Sequence, residues 1–202
     1  MTKNALIIFT RNPELGKCKT RLAKVLGNQA ALDIYNYLLQ HTTNITKKVN
    51  VERYVFYSET INNHDIWDND YFQKKLQKGS GLGARMYNAF KMLFDSGYQN
   101  IIIIGSDLLD LNEELIENAF LKLQTNDAVI GPAKDGGYYL LGLKQPNSSV
   151  FQIENWGTET VYEQTLSKLE GKSVYVLKPL NDIDHVEDLK PYKVFENYFK
   201  HN

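Results

Sequence analysis

Apolar residues fall along this chain in two alternating patterns. Short unbroken runs are bounded by glycine, proline and polar residues: ALIIFT (5–10), ERYVFYS (52–58), NIIIIGSD (100–107), DAVIGPA (127–133), GYYLLGL (137–143) and SVYVLKPL (173–180). Runs of this length with β-branched and aromatic content predict strands, and the unbroken ones predict strands buried on both faces. Between them, apolar positions recur at helical spacing. Ala31, Ile34, Tyr35, Leu38 and Ile45 predict a helix over 29–48 that Asn28 can cap. Leu82, Met86, Ala89, Phe90, Leu93 and Phe94 predict one over 82–96, ended by Gly97. Leu115, Ala119, Phe120 and Leu123 predict a third, capped by Asn112 or Asp110. Shorter helices are expected over 19–27, stopped by Gly27, and over 159–170, capped by Thr158. A last helix near the C-terminus must break or kink at Pro191. Residues 59–79 are polar with scattered aromatics, and a short helix or two is expected there.

Strands alternating with helices imply βαβ units. The expected fold is α/β, a three-layer α/β/α domain over residues 1–202 with a mostly parallel central sheet. No internal repeat or linker interrupts it. In such sheets ligands bind beyond the carboxyl ends of the strands. The loops at 11–18, 106–111 and 133–137 fall there, and they are rich in charge and glycine.

Composition narrows the partners. The 202 residues carry a formal net charge of −1, which gives no global pull towards nucleic acid or a membrane. No apolar stretch approaches a membrane span, and the N-terminal apolar run is too short for a signal peptide. Cys18 is the single cysteine, so no intrachain disulfide can form. A cytoplasmic protein is expected.

Against that neutral background, RNPELGKCKTRL (11–22) concentrates Arg11, Lys17, Lys19 and Arg21 in a loop leaving the first strand. Such a loop can cradle phosphates, or it can be a solvated basic surface. Lys19 and Arg21 are two apart. On a regular helix they would diverge by about 200°, so both can face one ligand only if one of them precedes the helix. GxxxxGK[ST] is absent, so this is no Walker A loop. In GSDLLD (105–110), Asp107 sits where a divalent metal would bridge protein and diphosphate, whereas Asp110 reads as a helix cap. Asp135 with Gly136 and Gly137 could meet a ligand or form a hairpin turn. LNDIDHVEDL (180–189) brings Asp182 and Asp184 just past a predicted strand, or simply starts an acidic helix. KGSGLGARM (78–86) could wrap a base or ribose, with Arg85 reaching a phosphate. The histidines show no zinc spacing, no nucleophile elbow is present, and Cys18 lacks an evident base partner.

The motifs FTRNPELGKCKTRL, GSGLGARMYNAF, IIIIGSDLLDL, VIGPAKDGGYYLLGL, ENWGTETVYEQTL and LNDIDHVEDL occur in this order over nearly the whole chain. Together they resemble a bacterial family of nucleotide-diphospho-sugar transferase-like (GT-A fold) proteins of unknown function. Members are named as glycosyltransferases, some for association with arsenosugar biosynthesis or with radical-SAM and selenium gene clusters. The chain is similar, more distantly, to nucleotidyltransferases. The resemblance implies that Gly16, Lys19, Arg21, Gly83 and Arg85 bind nucleotide, and Arg11 and Lys17 of the same basic loop are further nucleotide-binding candidates. It implies that Asp135, Gly136 and Gly137 face the acceptor. Asp107, with Asp184 or Asp182, would hold Mg²⁺ or Mn²⁺, and Asp107 and Lys19 would carry the catalysis. The family's common Cys-Pro after the central Asp is replaced here by Leu108 and Leu109. The expected activity is a metal-dependent transferase using a nucleotide substrate and a small-molecule acceptor. Glycosyl transfer from a nucleotide sugar comes first and nucleotidyl transfer from a triphosphate second. A non-catalytic nucleotide-binding accessory protein is the alternative of another class.

Overall fold

The computed structural model describes residues 3–199. The elements run β1 (Asn4–Thr10), α1 (Thr20–Leu26), α2 (Asn28–Lys48), β2 (Glu52–Tyr57), β3 (Gln73–Leu76), α3 (Leu82–Asp95), β4 (Asn100–Ile104), α4 (Glu113–Thr125), β5 (Ala128–Pro132), β6 (Tyr138–Leu143), α5 (Val161–Ser167), β7 (Val174–Val176) and α6 (Val186–Leu189). Short 3₁₀ turns cover Ser149–Phe151 and Lys193–Tyr198. The strands form one sheet in the order β3-β2-β1-β4-β6-β5-β7. All pairings are parallel except those of β6, which runs against both β4 and β5.

Alternation along the central strands builds the layers. Leu6, Ile8, Val55, Ile102, Ile104 and Val129 face Tyr35 and Leu39 of α2 and Ile116, Ala119 and Phe120 of α4. The residues between them, Ala5, Ile7, Phe56, Ile101, Ile103 and Ile130, face Met86, Ala89, Phe90 and Leu93 of α3. This is the period-2 pleat read from both sides, and it explains why the middles of these strands are apolar on both faces. A third cluster joins α1 and α2 to the C-terminal segment, with Leu22, Ile34 and Leu38 against Ile183, Leu189 and Phe195.

Several expectations need correction. Residues 59–72 form no helix. His64, Trp67 and Asp70 donate their backbone N–H groups to the side chains of Asn62, Asp65 and Asp68, each two residues back. Such side-chain turns compete with helix formation. The polar stretch QKKL is instead the parallel edge strand β3, with Lys74 bonded to Asp65 at 2.9 Å. Asn28 is the first residue of α2 and not its cap. Gly27 (φ 85°, ψ 160°) closes α1 and opens α2, a conformation that favours glycine. Thr158 caps no helix either; its hydroxyl donates to Asn155 O and α5 starts at Val161. The run 173–180 pairs in the sheet only over Val174–Val176, with Leu180 bridging Ala133 alone. Pro191 lies in the break between α6 and the last 3₁₀ turn. Asn112 caps α4 as expected, accepting from Leu115 N at 2.9 Å. Among the described residues no helix is long and apolar enough to cross a membrane.

Candidate active site

β1 to β5 end on one edge of the sheet, and β6 begins there because it is reversed. The loop after β1 is pinned there from two sides. Asn12 donates to Thr60 O at 2.8 Å and accepts from the backbone of Glu59 and Thr60. On the other side the Tyr35 hydroxyl of α2 accepts from Arg11 N at 3.0 Å and donates to Arg11 O. Gln77, at the end of β3, donates to Thr10 O and Phe56 O, tying the neighbouring strand ends together.

Lys19 is the one described non-glycine residue at positive φ (46°, with ψ 48°). A left-handed lysine costs about 1–2 kcal/mol. It stands before the regular helix, so its side chain is not bound to helical spacing from Arg21. Both cations therefore reach one carboxylate. Lys19 Nζ lies 2.9 Å from Asp107 Oδ2 and 3.7 Å from Asp184 Oδ1, and Arg21 pairs closely with Asp184 Oδ2. The Lys19 side chain is 6% exposed, against 36% for Asp107 and 29% for Asp184. Burial pulls the Lys19 ammonium down, but Asp107, Asp184 and Asp182 outweigh it and its pKa is raised.

Asp107 follows Gly105 and Ser106 at the end of β4, and its carbonyl accepts from Ile183 N at 3.3 Å. That bond brings the C-terminal acidic segment to the central strand. Asp188 fixes the same segment by accepting from Asp184 N and His185 N. Burial would raise its pKa, but hydrogen bonds from His185, Asn181 and Asp184 prevail and lower it. A cavity of about 110 Å³ lies here, lined chiefly by Asp107, Asp135, Asp182, Gly137, Tyr138 and Tyr139. Burial, with Asp107 and Asp135 nearby, pushes the Asp182 carboxyl from 3.8 up to about 6, against the pull of Lys19. A larger groove of about 290 Å³ sits at the opposite edge beside Asp127 and Lys172, away from these groups.

Not every anticipated residue converges. Gly83 is buried within α3, where an added Cβ would lie 2.2 Å from Phe151 O and 2.7 Å from Trp156 Nε1. Its lack of a side chain serves this close packing. Arg85, expected to reach a phosphate, donates from Nε to Gly79 O at 3.3 Å. Gly136 (φ 90°) is pressed against Glu159, whose carbonyl oxygen would be 2.1 Å from an added Cβ, so it too serves packing. Asp135 accepts from Gly137 N at 2.8 Å, the local turn geometry, while still lining the cavity. Lys17 is paired with Glu14 at 2.7 Å, Arg11 is exposed, and Gly16 (φ 76°) turns the loop beside Asn28. Cys18 is buried, and burial raises its thiol pKa, which suits a packing residue. Among the described residues no three His, Cys, Asp or Glu side chains gather as a ready ligand set. Of the three carboxylates expected to hold a metal, Asp107 and Asp184 both pair with Lys19, Asp184 also pairs with Arg21, and Asp182 lines the cavity with Asp107.

Sequence reasoning did not single out Asn12, Gln77, Ser106 or the hydroxyl of Tyr35. Tyr35 was legible only as an inward position of its helix. Nothing in spacing reveals which buried tyrosine carries a bonded hydroxyl.

This mixed sheet, with its cationic loop after the first strand and its acid after the central one, is the nucleotide-diphospho-sugar transferase type of fold. The chain belongs to the family described as "Uncharacterized protein conserved in bacteria (DUF2064)", which matches residues 41–158. A protein of Desulfovibrio desulfuricans G20, proposed to be a nucleotide-diphospho-sugar transferase, superposes with a TM-score of 0.87 at 33% identity, covering 98% of this chain and 89% of its own. A cytidylyltransferase from Leptospira borgpetersenii shares the fold with a TM-score of 0.65 at 13% identity, over 98% and 88% of the two chains. So does a Mycobacterium tuberculosis H37Rv protein in complex with manganese, with a TM-score of 0.60 at 10% identity, over 94% and 97%. No curated protein matches the sequence.

Proposed function

We propose that this protein is a nucleotide-dependent transferase that moves a glycosyl group from a nucleotide sugar to a small acceptor. The observation carrying the reading is the convergence of Lys19 with Asp107, 88 positions apart, at the strand edge where this fold binds ligands. The 33%-identical relative proposed to be a nucleotide-diphospho-sugar transferase supports it.

The donor set suits a divalent cation. Asp107, Asp135 and Asp182 line one small cavity, and the Asp182 pKa is raised by burial first and by the neighbouring Asp107 and Asp135 second, against the pull of Lys19. Carboxylate oxygens are the ligands Mg²⁺ and Mn²⁺ take, usually one or two of them with phosphate and water. Asp107 and Asp182 would hold such an ion, which when bound neutralises charge on a departing diphosphate. Asp184 is the counter-ion of Lys19 and Arg21 and holds both cations facing the same place. Lys19 then stabilises the leaving phosphate oxygens from a buried, pre-oriented position. The cavity wall at Asp135, Gly137 and Tyr138 offers the place for the acceptor. No covalent intermediate is needed, because positioning and charge neutralisation carry such transfers.

Nucleotidyl transfer from a triphosphate to a phosphorylated acceptor is the second reading. The pair Lys19 and Arg21, with exposed Arg11 on the same loop, favours it, because a triphosphate places more charge there.

A thermal-shift screen of nucleoside diphosphate sugars, triphosphates and nucleosides, with and without Mg²⁺, tests the proposal, since a ligand bound by the native state raises the melting temperature. Mg²⁺-dependent shifts from sugar nucleotides are expected, and Lys19→Ala should weaken these ligands at least tenfold while sparing the nucleoside. Shifts confined to triphosphates would select the second reading. No nucleotide response at all would reject both.

A further inference from the structure

We propose that Tyr35 is a positioning residue that sets the phosphate loop and the Asp107 loop in register; the inference rests on the nucleotide reading above.

Tyr35 lies on α2 and is 4% exposed. Its phenol oxygen is within hydrogen-bond distance of four atoms that belong to two strand ends. From the end of β1 come Arg11 N at 3.0 Å, Arg11 O at 3.2 Å and Thr10 Oγ1 at 3.4 Å. From beyond β4 comes Ser106 Oγ at 3.4 Å. Ser106 also donates to Thr10 Oγ1 at 3.4 Å, which closes a buried knot of three hydroxyls. Arg11 opens the loop that carries Lys19, and Ser106 directly precedes Asp107.

A phenol can donate one hydrogen bond and accept two. Here it grips both polar backbone groups of Arg11 and still borders Ser106. Burial raises its pKa, so it remains a neutral donor. The loops it joins are connected elsewhere at the site by the part-buried pairing of Lys19 with Asp107, a contact that substrate phosphates would compete for. The Tyr35 knot lies behind that pairing and can persist when a ligand enters. A displacement of about 1 Å at a reacting group can cost a hundredfold in rate, so fixing these two loops has a direct chemical consequence.

The test compares Tyr35→Phe with Tyr54→Phe. Tyr54 also buries a hydroxyl, bonded to Tyr98 at 2.9 Å, but on the other face of the sheet with α3. Both variants keep the ring and should lose similar stability. Amide hydrogen exchange without ligand is expected to speed up at least tenfold in both 11–19 and 105–109 for Tyr35→Phe, and in neither for Tyr54→Phe. Calorimetry is expected to show about tenfold weaker Mg²⁺-nucleotide binding for Tyr35→Phe only. Ser106→Ala should reproduce the effect, and the double variant should lose less than the product of the two. Unchanged exchange in 105–109, or affinity equal to that of Tyr54→Phe, would overturn the role. If the unaltered protein bound no nucleotide, the proposed function would fall, while the exchange comparison would still decide whether Tyr35 sets the two loops.

Discussion

A single carboxyl shows how charge is distributed at the site. Asp182 shares a cavity with Asp107 and Asp135 and is partly withdrawn from water, which raises its pKa to about 6. A carboxyl with a raised folded pKa binds its proton more tightly in the native state. Its favourable contribution is therefore complete below about pH 4 and lost as pH rises to about 6. With a discount for residual solvent contact, the loss is about 1–2 kcal/mol. Asp182→Asn is expected to remove this dependence and to be more stable than the unaltered protein at pH 8. Urea unfolding at pH 4 and pH 8 checks it, and equal slopes for both proteins would contradict the assignment. Lys19 illustrates the converse, a buried cation kept charged by three carboxylates.

Helix α3 illustrates how an element's context reverses a general preference. Glycine inside a helix is normally about 1 kcal/mol worse than alanine. Gly83 is nevertheless required, because a Cβ would lie 2.2 Å from the Phe151 carbonyl and against the Trp156 indole. Gly83→Ala is expected to destabilise by about 1–3 kcal/mol through overpacking, measured as a lower melting temperature. A gain in stability would show that the 3₁₀ turn at Ser149–Phe151 can move aside. Its glycine-rich neighbourhood suggested ligand contact in the sequence, yet the physical need is helix-to-loop approach. The reverse holds for β3. Its QKKL has no apolar run, and it is a strand because β2 offers a free edge beside it and Lys74 finds Asp65.

At the scale of the molecule, the C-terminal segment is both structural and chemical. Phe195 is 1% exposed and packs with Ile183, Leu189, Leu22 and Ile34, while Ile183 stands between Asp182 and Asp184. Loss of that anchor affects the fold and the acidic pair together. Phe195→Ala is expected to cost about 3–5 kcal/mol, with limited proteolysis cutting first within 181–199. Protease resistance there, with unchanged unfolding, would mean that other contacts hold the segment.

The sequence alone determined the α/β layering, because six apolar runs and three amphipathic helices admit few other ways to bury their faces. It also offered Lys19 and Arg21 as candidates, because they lie in the basic loop that follows the first predicted strand, and Asp107, Asp182 and Asp184, because they lie just beyond later ones. Tertiary structure alone decided what spacing cannot encode. It reversed β6, put Lys19 ahead of its helix, turned Asp184 to the cations and left Asp182 in the cavity. It also turned Gly83, Gly136 and Arg85 to local packing and backbone contacts, and knotted Tyr35 to Ser106. The physical reason is distance along the chain: these contacts join residues up to 163 positions apart, and local periodicity carries no information about which side chains then meet.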